Sequence, residues 1–174
     1  MPSPSSTALP LAHGGLRVLI ILNWLYGALV LAILVGMFVA AQWTLTALGF
    51  PLSAQSGPLL MGTRAIAVLG LAAVPLNLAV LNRLIAMVQT VRSGDPFIAA
   101  NANRLQAIAW FLFAQQVLSL VIGLIGKFIS TPAHPLHLNA GFSASGWLAV
   151  ILTFVLARVF AEGTLMREDL DGTV

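Results

Sequence analysis

The chain has 174 residues, of which 59% are hydrophobic, eight are Lys or Arg and five are Asp or Glu, giving a formal charge of +3 with no cysteine. A charged fraction of 7%, against about 25% in soluble domains, excludes an ordinary water-soluble domain and makes lipid the solvent of most of the chain. Disulfides, iron–sulfur clusters, thiolate zinc sites and cysteine catalysis are excluded too, and the singly scattered basic residues argue against direct nucleic acid binding.

Charge is expensive in hydrocarbon, so the gaps between charged residues mark what crosses the bilayer. Residues 1–15, rich in Ser and Pro, lack apolar periodicity and are expected to be disordered. A first span runs over about 18–41, uncharged throughout, and is long enough at roughly 36 Å to cross a bilayer. Val39-Ala40-Ala41 resembles a signal-peptide cleavage site, but the apolar run is too long for a signal peptide, so an uncleaved anchor is expected. Residues 42–63, with Gly49, Pro51, Gly57 and Pro58, form a connection at the lipid interface, where Trp43 fits.

The second span, about 64–91, is interrupted at Pro75, which frees the carbonyl of Leu71. The third covers about 96–127. Between them Gly94 is expected to end one helix, Asp95 to cap the next and Pro96 to occupy its first turn. At roughly 42 and 48 Å these two spans exceed the hydrocarbon thickness, so their shared tip projects into water. Residues 128–142, broken by Pro132 and Pro135, form a second connection, and the fourth span covers about 143–161 and can continue as helix into an acidic tail, 162–174.

The fold class that follows is all-α: one membrane domain over 1–174, a four-helix transmembrane bundle with a long helical hairpin between spans two and three. Arg17, Arg83, Arg92, Arg104, Arg158 and Arg167 fall on one side, against Arg64 and Lys127 on the other. Basic loops stay inside, which places both termini and the hairpin tip in the cytoplasm.

No catalytic or metal constellation emerges, and no cofactor is expected. His134 and His137 on the second connection lack the further ligands a metal needs. Gly141-Phe142-Ser143-Ala144 is similar to the short signature of intramembrane serine proteases, but a His on a facing helix is missing, which leaves a hydrolase a distant third reading. Gly126-Lys127 fails as a phosphate loop, since Val121 and Phe128 stand where that motif needs Gly and Ser or Thr.

Two polar sets remain. Asn77, Gln115, Gln116, Ser119 and Thr153 lie near mid-span, with Asn23 and Tyr26 on the first helix. They read either as interhelical glue or as a pocket for a small molecule or lipid, which is the alternative function. The second set is cytoplasmic, with Arg83, Arg92 and Arg104 about the hairpin facing Glu162, Glu168, Asp169 and Asp171 of the tail. These charges either pair within the chain or form a platform for a soluble partner. Arg158 and Glu162, one turn apart, pair in both cases.

At these elements the chain resembles the bacterial family called domain of unknown function 2975. Val91-Arg92-Ser93-Gly94-Asp95-Pro96-Phe97, followed by Asn101, Asn103, Arg104 and Leu105, looks like its central signature. Leu156-Ala157-Arg158-Val159-Phe160-Ala161-Glu162-Gly163 and Leu165 to Leu170, with Gly172-Thr173-Val174, resemble its ending. With the four-span layout, the resemblance covers nearly the whole chain. It implies a four-span protein of the bacterial inner membrane without an assigned activity, some relatives being encoded beside a small helix-turn-helix regulator. Arg158 departs from the acidic residue expected there in many relatives.

The leading expectation is a non-enzymatic sensor or anchor that binds a cytoplasmic regulator through Arg92, Gly94, Asp95, Pro96, Phe97, Asn101, Arg104, Glu162, Arg167, Glu168 and Asp169. Membrane lipids are the other expected partners, and a homo-oligomer is compatible with this reading.

Overall fold

A computed structural model describes residues 5–49, 57–94, 96–130 and 139–171, with side chains placed over 11–49, 57–94, 96–130 and 139–167. The described residues form five helices and no strand: α1 (Ser5–Val39), α2 (Ala41–Ala47), α3 (Gly57–Arg92), α4 (Ala99–Ile129) and α5 (Ala144–Asp171). Four segments, Leu11–Val39, Gly57–Arg92, Ala99–Ile129 and Ala144–Arg167, are long and apolar enough to cross a bilayer. Helices satisfy their own backbone, which is what hydrocarbon demands. Large apolar side chains stay exposed along them, as on α5 from Leu148 to Val159. In lipid such a face needs no protein cover, and the chain is a multi-pass membrane protein.

The helices depart from the expected spans in four places. α1 starts at Ser5, so residues 5–15, expected to be disordered, are helical. Ala8, Leu9, Leu11 and Ala12 are strong helix formers and outweigh Gly14-Gly15. The first connection contains α2, whose Thr44 hydroxyl donates to the Ala40 carbonyl (3.0 Å). α2 packs against α1 because Gly36 has no side chain there: a Cβ would stand 2.7 Å from Thr44 Oγ1. α4 starts at Ala99, so Pro96 precedes the helix instead of occupying its first turn, and the Asn101 amide N–H bonds the Ile98 carbonyl (2.9 Å). α3 starts at Gly57, inside the connection expected over 42–63 and seven residues before the expected start of the span. α5 continues through Asp171, as the sequence allowed.

The chain divides into two compact units. The first comprises Met1–Leu22, Leu76–Ala114 and Ala144–Val174. Its interior is built by Leu105, Ile108 and Ala109 of α4 with Val150 and Ala157 of α5, all buried. Aromatic edges extend it: Trp110 meets Phe154 at 5.3 Å between ring centroids, and Phe113 meets Trp147 at 5.6 Å. Both contacts are T-shaped, the arrangement that ring quadrupoles favour.

The second unit comprises Asn23–Pro75 and Gln115–Ser143. Close backbone approach dominates it. A Cβ on Gly62 would stand 2.5 Å from Ile129 Cγ2, and one on Gly123 2.6 Å from the Cα of Gly141. The Gly141 N–H donates to Ser119 Oγ (3.1 Å), which fixes that approach. Small residues that permit close approach are how helices associate in lipid, where no hydrophobic force drives them together.

Candidate functional site

In the first unit, the turn between α3 and α4 is organised by Asn101, only 1% exposed. Its Nδ2 donates to Thr90 Oγ1 and to the Pro96 carbonyl, each at 2.8 Å, while its Oδ1 accepts from Arg104 Nη1 at 2.8 Å. Both amide protons and the acceptor are therefore used. The Thr90 hydroxyl donates to the Met87 carbonyl (2.8 Å). Gly94, at φ +89°, ends the α3 side as expected, with its N–H on the Val91 carbonyl (3.2 Å). A side chain is strained in that left-handed conformation, and glycine is not.

α5 joins this turn through Phe97, whose ring lies 5.2 Å from that of Phe160. Gly163 lies against the same ring: a Cβ there would sit 3.4 Å from Phe97 Cδ1, an ordinary van der Waals contact. The Thr164 hydroxyl turns inward onto the Phe160 carbonyl (2.8 Å). Arg158 and Glu162 pair at 2.7 Å as the spacing predicts. With side chains 78% and 52% exposed, such a pair contributes about 0.3–0.5 kcal/mol.

The set expected on the cytoplasmic side thus separates into two kinds of residue. Asn101 is buried, and Arg104 is engaged with it. Arg83 donates to the Ala79 carbonyl of its own helix (3.1 Å) and lies over the Phe111 ring (4.7 Å). Arg92, Gly94, Phe97, Glu162 and Arg167 are exposed, as are Leu165 and Met166. Asp95 and the side chains of Glu168, Asp169 and Asp171 lie outside the described residues, as do His134 and His137. Thr90, Phe160 and Gly163 were not among the expected site residues, although the last two lie in the quoted ending motif.

The mid-span residues are divided between the two units. Asn77 and Thr153 belong to the first unit, Gln115 and Gln116 to the second. The Thr153 hydroxyl donates to the Ala149 carbonyl of its own helix (2.7 Å). Ser119 holds Gly141, and Gln116 Oε1 is buried without a hydrogen-bond partner. Asn23 donates to the Val74 carbonyl (3.1 Å), beside Pro75 and not on the Leu71 carbonyl that the proline frees.

The second unit also contains a cavity of about 530 Å³, with Tyr26, Met37, Thr63, Gly70 and Asn139 in its wall. Of the seven residues read as interhelical glue or pocket lining, Tyr26 lines this one.

Residues 58–174 match the model of a family described as a protein of unknown function (DUF2975). The chain belongs to this family. The match contains both quoted motifs, the Asn101 lock and the Phe97–Phe160 contact, whereas α1 and α2 precede it. No curated protein and no solved structure matches the chain.

Proposed function

We propose that this DUF2975 protein is a non-enzymatic protein of the bacterial inner membrane that binds a cytoplasmic regulator. Both termini and the tip of an α3–α4 hairpin lie in the cytoplasm, in keeping with the six-to-two distribution of its basic residues. The docking surface is the exposed part of the turn and tail: Arg92, Gly94 and Phe97 with Glu162, Leu165, Met166 and Arg167.

The observation that carries this reading is the lock at Asn101. A turn that merely connects two spans needs no buried carboxamide with every hydrogen-bonding group satisfied, whereas a recognition surface gains affinity from a backbone held fixed before binding. Exposed Leu165 and Met166 near the end of a helix about 42 Å long supply apolar contacts beside the charged ones. A helix-turn-helix protein is the regulator that the family's gene neighbours suggest.

Crosslinking in native membranes tests the reading. Wild-type protein should recover one stoichiometric cytoplasmic partner, and Arg92→Glu or Met166→Asp should lower recovery about tenfold, a change of about 1.4 kcal/mol. Reporter fusions should show unchanged topology in both variants. Recovery of no cytoplasmic partner by the wild type, or a periplasmic reporter signal at the turn, would remove the proposal.

A further inference from the structure

We infer that the cavity of the second unit is a binding site for an uncharged single-chain lipid, a long acyl chain carrying a hydroxyl or ester head, of which a monoacylglycerol is the simplest example. This inference does not rest on the docking surface.

The cavity measures about 530 Å³, inside the range of about 300–1,000 Å³ in which small-molecule sites fall. Its wall along α1 runs from Tyr26 to Met37, which at helical rise is roughly 16 Å. That is about half the hydrocarbon thickness of a bilayer, a length suited to a chain and not to a compact solute. Val30, Ile33, Met37, Ile66 and Ile122 make the wall apolar. α3 contributes the small residues Ala67 and Gly70 to the wall, and Tyr26 and Val30 pack against Gly70. At Gly70 a Cβ would stand 3.2 Å from the Tyr26 hydroxyl oxygen and 3.6 Å from Val30 Cγ1.

The chemistry of the wall selects the head. Among the described residues, no Lys, Arg, His, Asp or Glu lines the cavity, so against this described wall a carboxylate or phosphodiester would enter without a counter-charge, which is costly at low dielectric. Arg64, adjacent to lining Thr63, is directed at the Met37 carbonyl and lies 4.2 Å over the Phe38 ring. The polar groups present are neutral. Asn139, exposed on the segment before α5, offers an amide donor and acceptor at the connection end. The Tyr26 hydroxyl offers one of each at the mid-span end. A neutral head at Asn139 with its chain along α1 satisfies both the polar end and the apolar wall. The cavity is partly open, and the solvent around these helices is lipid, so the ligand reaches it laterally from the bilayer.

Photolabelling of the full chain in lipid nanodiscs tests this, with a monooleoylglycerol that carries a diazirine on its acyl chain. Label is expected on peptides covering 26–37 and 63–70, and excess monooleoylglycerol should remove it. Oleate and phosphatidylglycerol should compete about tenfold less well, about 1.4 kcal/mol weaker. Ala67→Phe, which fills the cavity, should lower labelling of the same peptides about tenfold with helical circular dichroism unchanged. Should that variant not fold, the competition series on the wild type still decides. Label that competition does not remove, or that concentrates on the exposed α5 face from Leu148 to Val159, overturns the site. Equal competition by oleate or phosphatidylglycerol overturns the uncharged head.

Discussion

The α3–α4 turn of the first unit and the cavity of the second use opposite means to become specific. The turn is defined by atoms that are present: one buried carboxamide whose donors and acceptor reach Thr90, Pro96 and Arg104. The cavity is a space with a largely apolar wall, to which α3 contributes the small residues Ala67 and Gly70. Around it the second unit is held by missing side chains, since Gly62 and Gly123 permit contacts that a Cβ would prevent. Polar fixation suits an end that meets water, where hydrogen-bonding groups have competitors and must be matched. Close approach at glycine suits a bundle of apolar helices, where dispersion and packing are what drives association.

Substitutions can break this contrast, in descending order of effect. Asn101→Leu should be the most damaging, because it leaves the Pro96 carbonyl, the Thr90 hydroxyl and the Arg104 guanidinium without this partner. A cost of about 3 kcal/mol is expected, the upper end for stranding buried polar groups, read as a lowered unfolding midpoint in mixed micelles. Asn101→Asp keeps the Arg104 contact but loses both donated bonds, and should fall between Leu and the wild type.

Gly123→Ala tests the other unit. Its new Cβ would meet backbone of Ala140 and Gly141, which cannot rotate away, so overpacking of about 2 kcal/mol is expected. Gly57→Ala is the control, since nothing lies within 4 Å of a Cβ there. If the two alanines destabilise equally, close approach is not what holds the second unit. Phe97→Ala should cost about 1 kcal/mol through loss of the ring contact with Phe160, and hydrogen exchange should quicken over 160–167 while 115–129 keeps its protection. Arg158→Gln should be the mildest change, at most about 0.5 kcal/mol for an exposed pair one turn apart, with the difference vanishing in high salt.

The sequence made the spans legible because lipid imposes a rule that holds residue by residue: charged groups are kept to the ends. Most of α3 and of α4 follows from that rule, although α3 begins at Gly57 and not at the expected 64, and Gly94 as the end of α3 follows from backbone sterics. α2 escaped because seven residues are too few to carry a period against a background that is apolar everywhere. The start of α4 was misplaced because Pro96 suits a first helical turn equally well in sequence, whereas here its carbonyl is an acceptor for Asn101. Asn101 itself was visible as part of a motif but read as surface, since a carboxamide's spelling does not reveal whether its partners lie within reach. The cavity was harder still. Polar residues drew attention to mid-span, yet the empty volume depends on which small side chains face one another, and Tyr26 alone joins that expectation to the observed wall.

The Asn101 lock closes over a short stretch of chain, with Thr90 eleven positions away and Pro96 five. Loops of about ten residues close in roughly 10–100 ns, whereas ribosomes add about 5–20 residues per second. The turn can therefore close from its own residues alone, on a timescale far shorter than synthesis, and needs nothing from α5, whose Phe160 adds the contact with Phe97.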